Sequence, residues 1–67
     1  MTRHETPEDV ELAVLAAMAR GSSKRAVAAE LRLGHRSIDK HLSNVCARLD
    51  VAYPIEAVVW AVRHGLI

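Results

Sequence analysis

Phenylalanine is absent from this chain, and Tyr53 and Trp60 are its only aromatic residues. Eleven alanines stand against these two rings, a composition that argues against an all-β core and for small, close-packed helices. There is one cysteine, Cys46, so no internal disulfide can form. A single thiol with four scattered histidines (His4, His35, His41, His64) falls short of a four-ligand zinc site. Long apolar runs are missing as well. The longest, Leu12 to Ala19, has eight residues, against roughly 20 needed to span a bilayer. The opening Met1-Thr2-Arg3-His4-Glu5-Thr6 has no apolar signal core. The chain therefore reads as one soluble, cytoplasmic domain over residues 1–67, with no metal, cofactor or membrane partner. A folded chain of this length buries only about 60% of the surface its unfolded form exposes, so its stability is marginal.

A catalytic constellation is also lacking. His35 and His41 are six residues apart, Cys46 has no base placed beside it by sequence, and no glycine-rich phosphate loop occurs. The chain is expected not to be an enzyme. His4 and His64 read as solvated, and Cys46, next to Val45, reads as a small packed side chain.

What is present is an uneven distribution of charge. Nine Lys and Arg against eight Asp and Glu leave a net charge of only +1. Residues 1–19 nevertheless carry −3 and residues 49–67 carry −1, while residues 20–48 hold Arg20, Lys24, Arg25, Arg32, Arg36, Lys40 and Arg48 against only Glu30 and Asp39. A basic centre between acidic ends is either a solvated face or a surface for a polyanion.

The apolar periodicity predicts four helices. Thr6-Pro7-Glu8-Asp9 reads as a helix start, with a hydroxyl cap, proline at the first position and acids in the first turn. Gly21 is the matching stop, and Val10, Val14, Leu15 and Met18 form the inward stripe. Leu12 lies off that stripe and is either a plain exposed leucine or the edge of a partner contact. Ser22 or Ser23 caps a short second helix that turns Val27 and Leu31 inward and ends near Leu31. Only Arg32-Leu33-Gly34 separates it from a third helix over about His35 to Leu49, so residues 23–49 form a tight helix-turn-helix. In the third helix Ile38, Leu42, Val45 and Leu49 repeat along one apolar face. Arg36, Lys40, Ser43 and Ala47 repeat in the same rhythm along a polar or small one. Pro54 opens a fourth helix that ends near Gly65. Its inward stripe is expected to be Ile55, Val58, Val62 and Leu66, with Trp60 and Ile67 roughly opposite. Trp60 then either meets a second subunit or folds back over the connector near Tyr53.

In this order the residues resemble the C-terminal DNA-binding module of the LuxR/FixJ/GerE family of bacterial transcription regulators. The resemblance rests on Glu11, Val14 and Leu15; Arg20, Gly21 and Ser23; Val27, Ala28 and Leu31; Ser37, Ile38, Asp39, His41 and Val45; Arg48 and Leu49; and Glu56, Ala57, Val58, Gly65, Leu66 and Ile67. It implies an all-α fold, a four-helix bundle containing a helix-turn-helix without a wing. It also implies a sequence-specific transcription regulator that binds double-stranded DNA as a homodimer with its third helix in the major groove.

Carried over by position, Ser23, Lys24, Arg25, Ser37, His41 and Arg48 would hold phosphates, and Arg36, Asp39, Lys40 and Ser43 would meet base edges. The fourth helix, residues 54–65, would form the dimer seam with Ala57, Trp60, Ala61 and His64, joined by Ile67. Two such modules would read half-sites roughly 10 base pairs apart. This chain departs from the family pattern in three ways. Asp39 stands where a basic residue is usual, and either reads a base or repels phosphate. Arg32 stands where a turn glycine is usual. Met1 opens directly onto the first helix, as in a stand-alone module. The alternative function is a protein-interaction module of the same fold, forming mixed dimers with a larger regulator or docking on RNA polymerase without reading DNA.

Overall fold

The computed structural model describes residues 6–67; the expectation of a solvated His4 lies outside them. Four helices follow in order: α1 (Asp9–Ala19), α2 (Lys24–Leu31), α3 (His35–Leu49) and α4 (Pro54–Arg63). There is no strand among the described residues. α1 and α3 each pack against every other helix, whereas α2 and α4 do not touch. The molecule thus has an α2–α3 side and a separate α4 side.

The first helix starts later than its sequence predicts. Thr6 and Pro7 stand outside it, and Glu8 is the residue before the first turn. The reason lies in Glu11, whose carboxylate reaches back to accept the Glu8 backbone N–H at 2.9 Å, satisfying one of the donors that a helix start leaves open. Between the two candidate caps of α2, Ser23 is the one used: its Oγ accepts the Ala26 N–H at 3.1 Å. At α4, Glu56 serves the same end by accepting the backbone N–H groups of Ala52 and Tyr53.

All four helices stop in one way. A residue in the left-handed region follows the last turn, and two backbone bonds close over it. At α1 Gly21 N–H donates to Met18 and Ser22 N–H to Ala17; at α2 Arg32 donates to Ala29 and Leu33 to Ala28. At α3 Asp50 donates to Ala47 and Val51 to Cys46, and at α4 Gly65 donates to Val62 and Leu66 to Ala61. Glycine supplies the positive φ at residues 21 and 65, but Arg32 and Asp50 adopt it at φ 57° each, which for an ordinary side chain costs about 1–2 kcal/mol. The turn between α2 and α3 therefore keeps the glycine-type geometry without the glycine. It is held by Leu33, which packs partly against the core.

The core consists of Val14, Leu15 and Ala17 from α1, Val27 and Ala28 from α2, Ile38, Leu42, Val45 and Leu49 from α3, and Ala57, Val58 and Ala61 from α4. The apolar stripe predicted for α3 is buried in full. The stripe predicted for α4 is not: Ile55 is 64% exposed, Val62 52% and Leu66 37%, whereas Ala57 and Ala61 are fully buried. Helices approach closely where side chains are short, so the two alanines with Val58 form the contact face and the larger residues are turned outward.

Candidate nucleic-acid interface

α3 presents Arg36, Lys40, Ser43 and Ala47 to solvent as one continuous row. The row exists because its opposite face carries the four core residues, so the same 3.6-residue period that buries Ile38, Leu42, Val45 and Leu49 turns these four outward. Beside it lies the first turn of α2 with Lys24 and Arg25, both exposed. Arg25, Arg36 and Lys40 have no ion-pair partner among the described residues. Three uncompensated cations on one side make a surface suited to an anionic polymer.

Ser23 Oγ accepts the Ala26 N–H as the α2 cap, and its O–H remains a donor. Ser37 is half-buried. The half-buried His41 has its Nδ1 enclosed without a hydrogen-bond partner among the described residues.

Besides Ser23, two residues of the expected phosphate set are engaged within the chain. Lys24 Nζ lies 2.6 Å from Asp39 Oδ1, an exposed pair that ties the first turn of α2 to α3. Arg48 is held more firmly. Its Nε donates to Glu11 Oε1 at 3.1 Å and one Nη donates to Glu11 Oε2 at 3.2 Å, with Glu8 a further 3.9 Å contact. Glu11 is completely buried. The arginine thus neutralises an interior carboxylate, and two of its donors are spent within the chain. The apolar spacing gave a signal for this: Arg48 follows the buried Val45 by three residues and so belongs to the inward side of α3. Glu11, likewise, stands at the capping position of α1.

The expected seam residues on α4 also divide. Ala57 and Ala61 are buried against α4's own neighbours and cannot meet a second subunit. Trp60 and Ile67 are partly buried against the core. His64 is exposed and stacks on Trp60, with ring centroids 3.8 Å apart, and its Nδ1 lies 2.8 Å from the Trp60 carbonyl oxygen. Trp60 does not cover Tyr53, which is 67% exposed. The face left open carries Ile55, Val59 and Val62, and an open groove of about 410 Å³ runs along it between Val51, Val59, Trp60 and Arg63. Leu12, off the α1 stripe, is half-buried.

Among the described residues, no group of three or more His, Cys, Asp or Glu is placed to hold a metal ion, and no helix is long and apolar enough to cross a membrane. Cys46 is partly buried, and burial, followed by the negative charge of Glu56, pushes its thiol pKa up. It is a poor nucleophile in this setting.

Known proteins share this sequence pattern and fold. The chain is 36% identical over 53 residues to the uncharacterized transcriptional regulatory protein YhcZ of Bacillus subtilis, covering 79% of this chain and 25% of that protein. It is 30% identical over 64 residues to the transcriptional regulatory protein LiaR of the same organism, covering 96% and 30%. It is 28% identical to the response regulator VraR of Staphylococcus aureus, covering 96% and 31%. The chain thus spans about a quarter to a third of the length of these relatives. The crystal structure of response regulator ChrA, of a heme-sensing two-component system, superposes with a TM-score of 0.85 over 98% of this chain and 33% of that one at 24% identity, a likeness of fold. Residues 9–61 match the family described as bacterial regulatory proteins, luxR family. The chain belongs to this family, which is one of DNA-binding helix-turn-helix domains and not of enzymes.

Proposed function

We propose that this chain is a sequence-specific DNA-binding module of a transcription regulator, acting as a homodimer that lays α3 in the major groove. The observation that carries the reading is the exposed row Arg36, Lys40, Ser43 and Ala47, flanked by Arg25 and free of compensating acids except Asp39. A helix of 15 residues with a polar outer face fits the major groove. Ser23, Ser37, His41 and Arg25 hold backbone phosphates, and Arg36, Lys40 and Ser43 meet base edges.

The separation of α2 from α4 supports the dimer. A seam on α4 leaves the α2–α3 side of both copies open to one duplex. The seam is carried by Ile55, Val59 and Val62 with the Trp60–His64 stack, because these are the apolar residues α4 leaves uncovered.

A second reading is favoured by the same exposed apolar face: mixed dimers with a larger regulator, or docking on RNA polymerase, without DNA reading. Fluorescence anisotropy with a random-sequence duplex pool at several salt concentrations, followed by selection of the tightest binders, separates the two. A steep salt dependence equivalent to about four or more phosphates per subunit, with a two-fold-symmetric motif enriched, supports the first reading. Flat, millimolar binding with no enriched motif overturns it in favour of the second.

A further inference from the structure

The acid on the outer side of α3 is the feature that a plain phosphate-binding surface does not explain. Asp39 is one turn from both Arg36 and Ser43, and so belongs to the face that carries the base-reading residues. Its side chain is 57% exposed, and its Oδ1 is held by Lys24 Nζ at 2.6 Å. An exposed pair of this kind adds little to stability, but it has two consequences at a polyanion. The lysine cancels the charge that would otherwise repel phosphates, and it fixes the carboxylate by one oxygen while leaving Oδ2 as an open acceptor.

In the major groove the base-edge donors are the amino groups of cytosine and adenine; guanine offers only O6 and N7, and thymine only O4 and a methyl group. An ionised carboxylate has lone pairs and no proton, so it is repelled by guanine and thymine edges. Adenine carries the N7 acceptor beside its amino group, whereas cytosine carries no acceptor beside N4. Cytosine is therefore the base that matches.

We propose that Asp39 reads a cytosine amino group in each half-site, and that Lys24 is its positioning residue and not a phosphate ligand. This rests on the DNA-binding reading above.

The test selects duplexes from a random pool with the whole chain, its Asp39→Asn and Lys24→Gln variants, and an Asp39→Lys control. Both altered positions are exposed, and unchanged helix content by circular dichroism verifies the fold. The unaltered chain is expected to enrich cytosine at one position per half-site. Asp39→Asn, which offers a donor and an acceptor to adenine N6 and N7, is expected to move that position to adenine by about tenfold or more. Lys24→Gln is expected to flatten the preference there while leaving the slope of log K against log salt unchanged, since a lost phosphate contact would reduce that slope by about one. Asp39→Asn and Asp39→Lys binding the original motif more tightly, with every base preference intact, would overturn the proposal and leave Asp39 as a repelling charge. A reduced salt slope in Lys24→Gln with the cytosine preference intact would overturn the role given to Lys24. If none of the four proteins binds any duplex in a salt-dependent way, the DNA-binding reading itself falls, and this inference with it.

Discussion

Arg48→Ala is the perturbation on which two accounts of one residue part most sharply. The Glu11 carboxylate is fully buried and accepts three hydrogen bonds: the Glu8 backbone N–H at 2.9 Å, Arg48 Nε at 3.1 Å and an Arg48 Nη at 3.2 Å. Truncating the arginine removes two of them and leaves an interior anion without its countercharge. Removing one partner of a buried ion pair costs about 3–5 kcal/mol. Because Arg48 keeps 22% of its side-chain surface in solvent, water can enter as the side chain is shortened, and the lower end of about 3 kcal/mol applies. Against a total stability of about 3–10 kcal/mol for a domain this small, that is a large share. It corresponds to a fall in Tm of about 12–24 °C.

Thermal unfolding followed by circular dichroism measures this directly, and DNA binding well below the variant's Tm measures the rest. The paired replacement Glu11→Met with Arg48→Met removes both charges while keeping the volume, and is expected to recover most of the loss. A Tm within about 2 °C of the unaltered chain in Arg48→Ala, together with weaker DNA binding and a shallower salt slope, would refute the reasoning. It would return Arg48 to the phosphate contacts that its sequence position implies.

Three further outcomes follow from the fold. Arg32→Gly relieves a left-handed backbone worth about 1–2 kcal/mol and adds about 0.5–1 kcal/mol of unfolded-state entropy, so a net gain of about 0.5–1 kcal/mol is expected in urea unfolding. Val59→Glu, on the open face of α4, should leave helix content intact and abolish dimers in sedimentation velocity, whereas Ala57→Leu should lower Tm by overfilling the core. Unchanged sedimentation in Val59→Glu would remove this face from the seam. Cys46 binds its proton more tightly folded than unfolded, since burial pushes its thiol pKa up. Its contribution to stability is therefore complete below the ordinary thiol range and is lost as pH rises through and above it. The alkaline fall in Tm should be smaller in Cys46→Ala, and alkylation of Cys46 at neutral pH should be slow until the domain is unfolded.

Local pattern alone determined that this is a four-helix chain with a tight helix-turn-helix. It also determined which face of α3 is buried and which is offered outward, because in an amphipathic helix a single period settles both. The ends of α2 and α3 and the stop at Gly21 were legible for the same reason: caps and turns are set by neighbours a few residues away. The start of α1 was displaced by the reach of Glu11 to Glu8, a local contact that competes with the proline signal.

What only the tertiary structure decided concerns partners distant in sequence. Glu11 and Arg48 are 37 residues apart; the spacing of Arg48 puts it on the inward side of α3, but only the packing of α1 against α3 decides that Glu11 is its partner. Lys24 and Asp39 meet only because the turn folds α2 against α3. The inward face of α4 was expected on Ile55, Val58, Val62 and Leu66, and of these the structure buries only Val58, with Ala57 and Ala61, on the side away from the exposed Glu56 and Arg63. The choice fell to packing, where α1 and α3 leave room for Ala57, Val58 and Ala61 but not for Ile55, Val59 and Val62, and that decision put the larger apolar side chains on the surface.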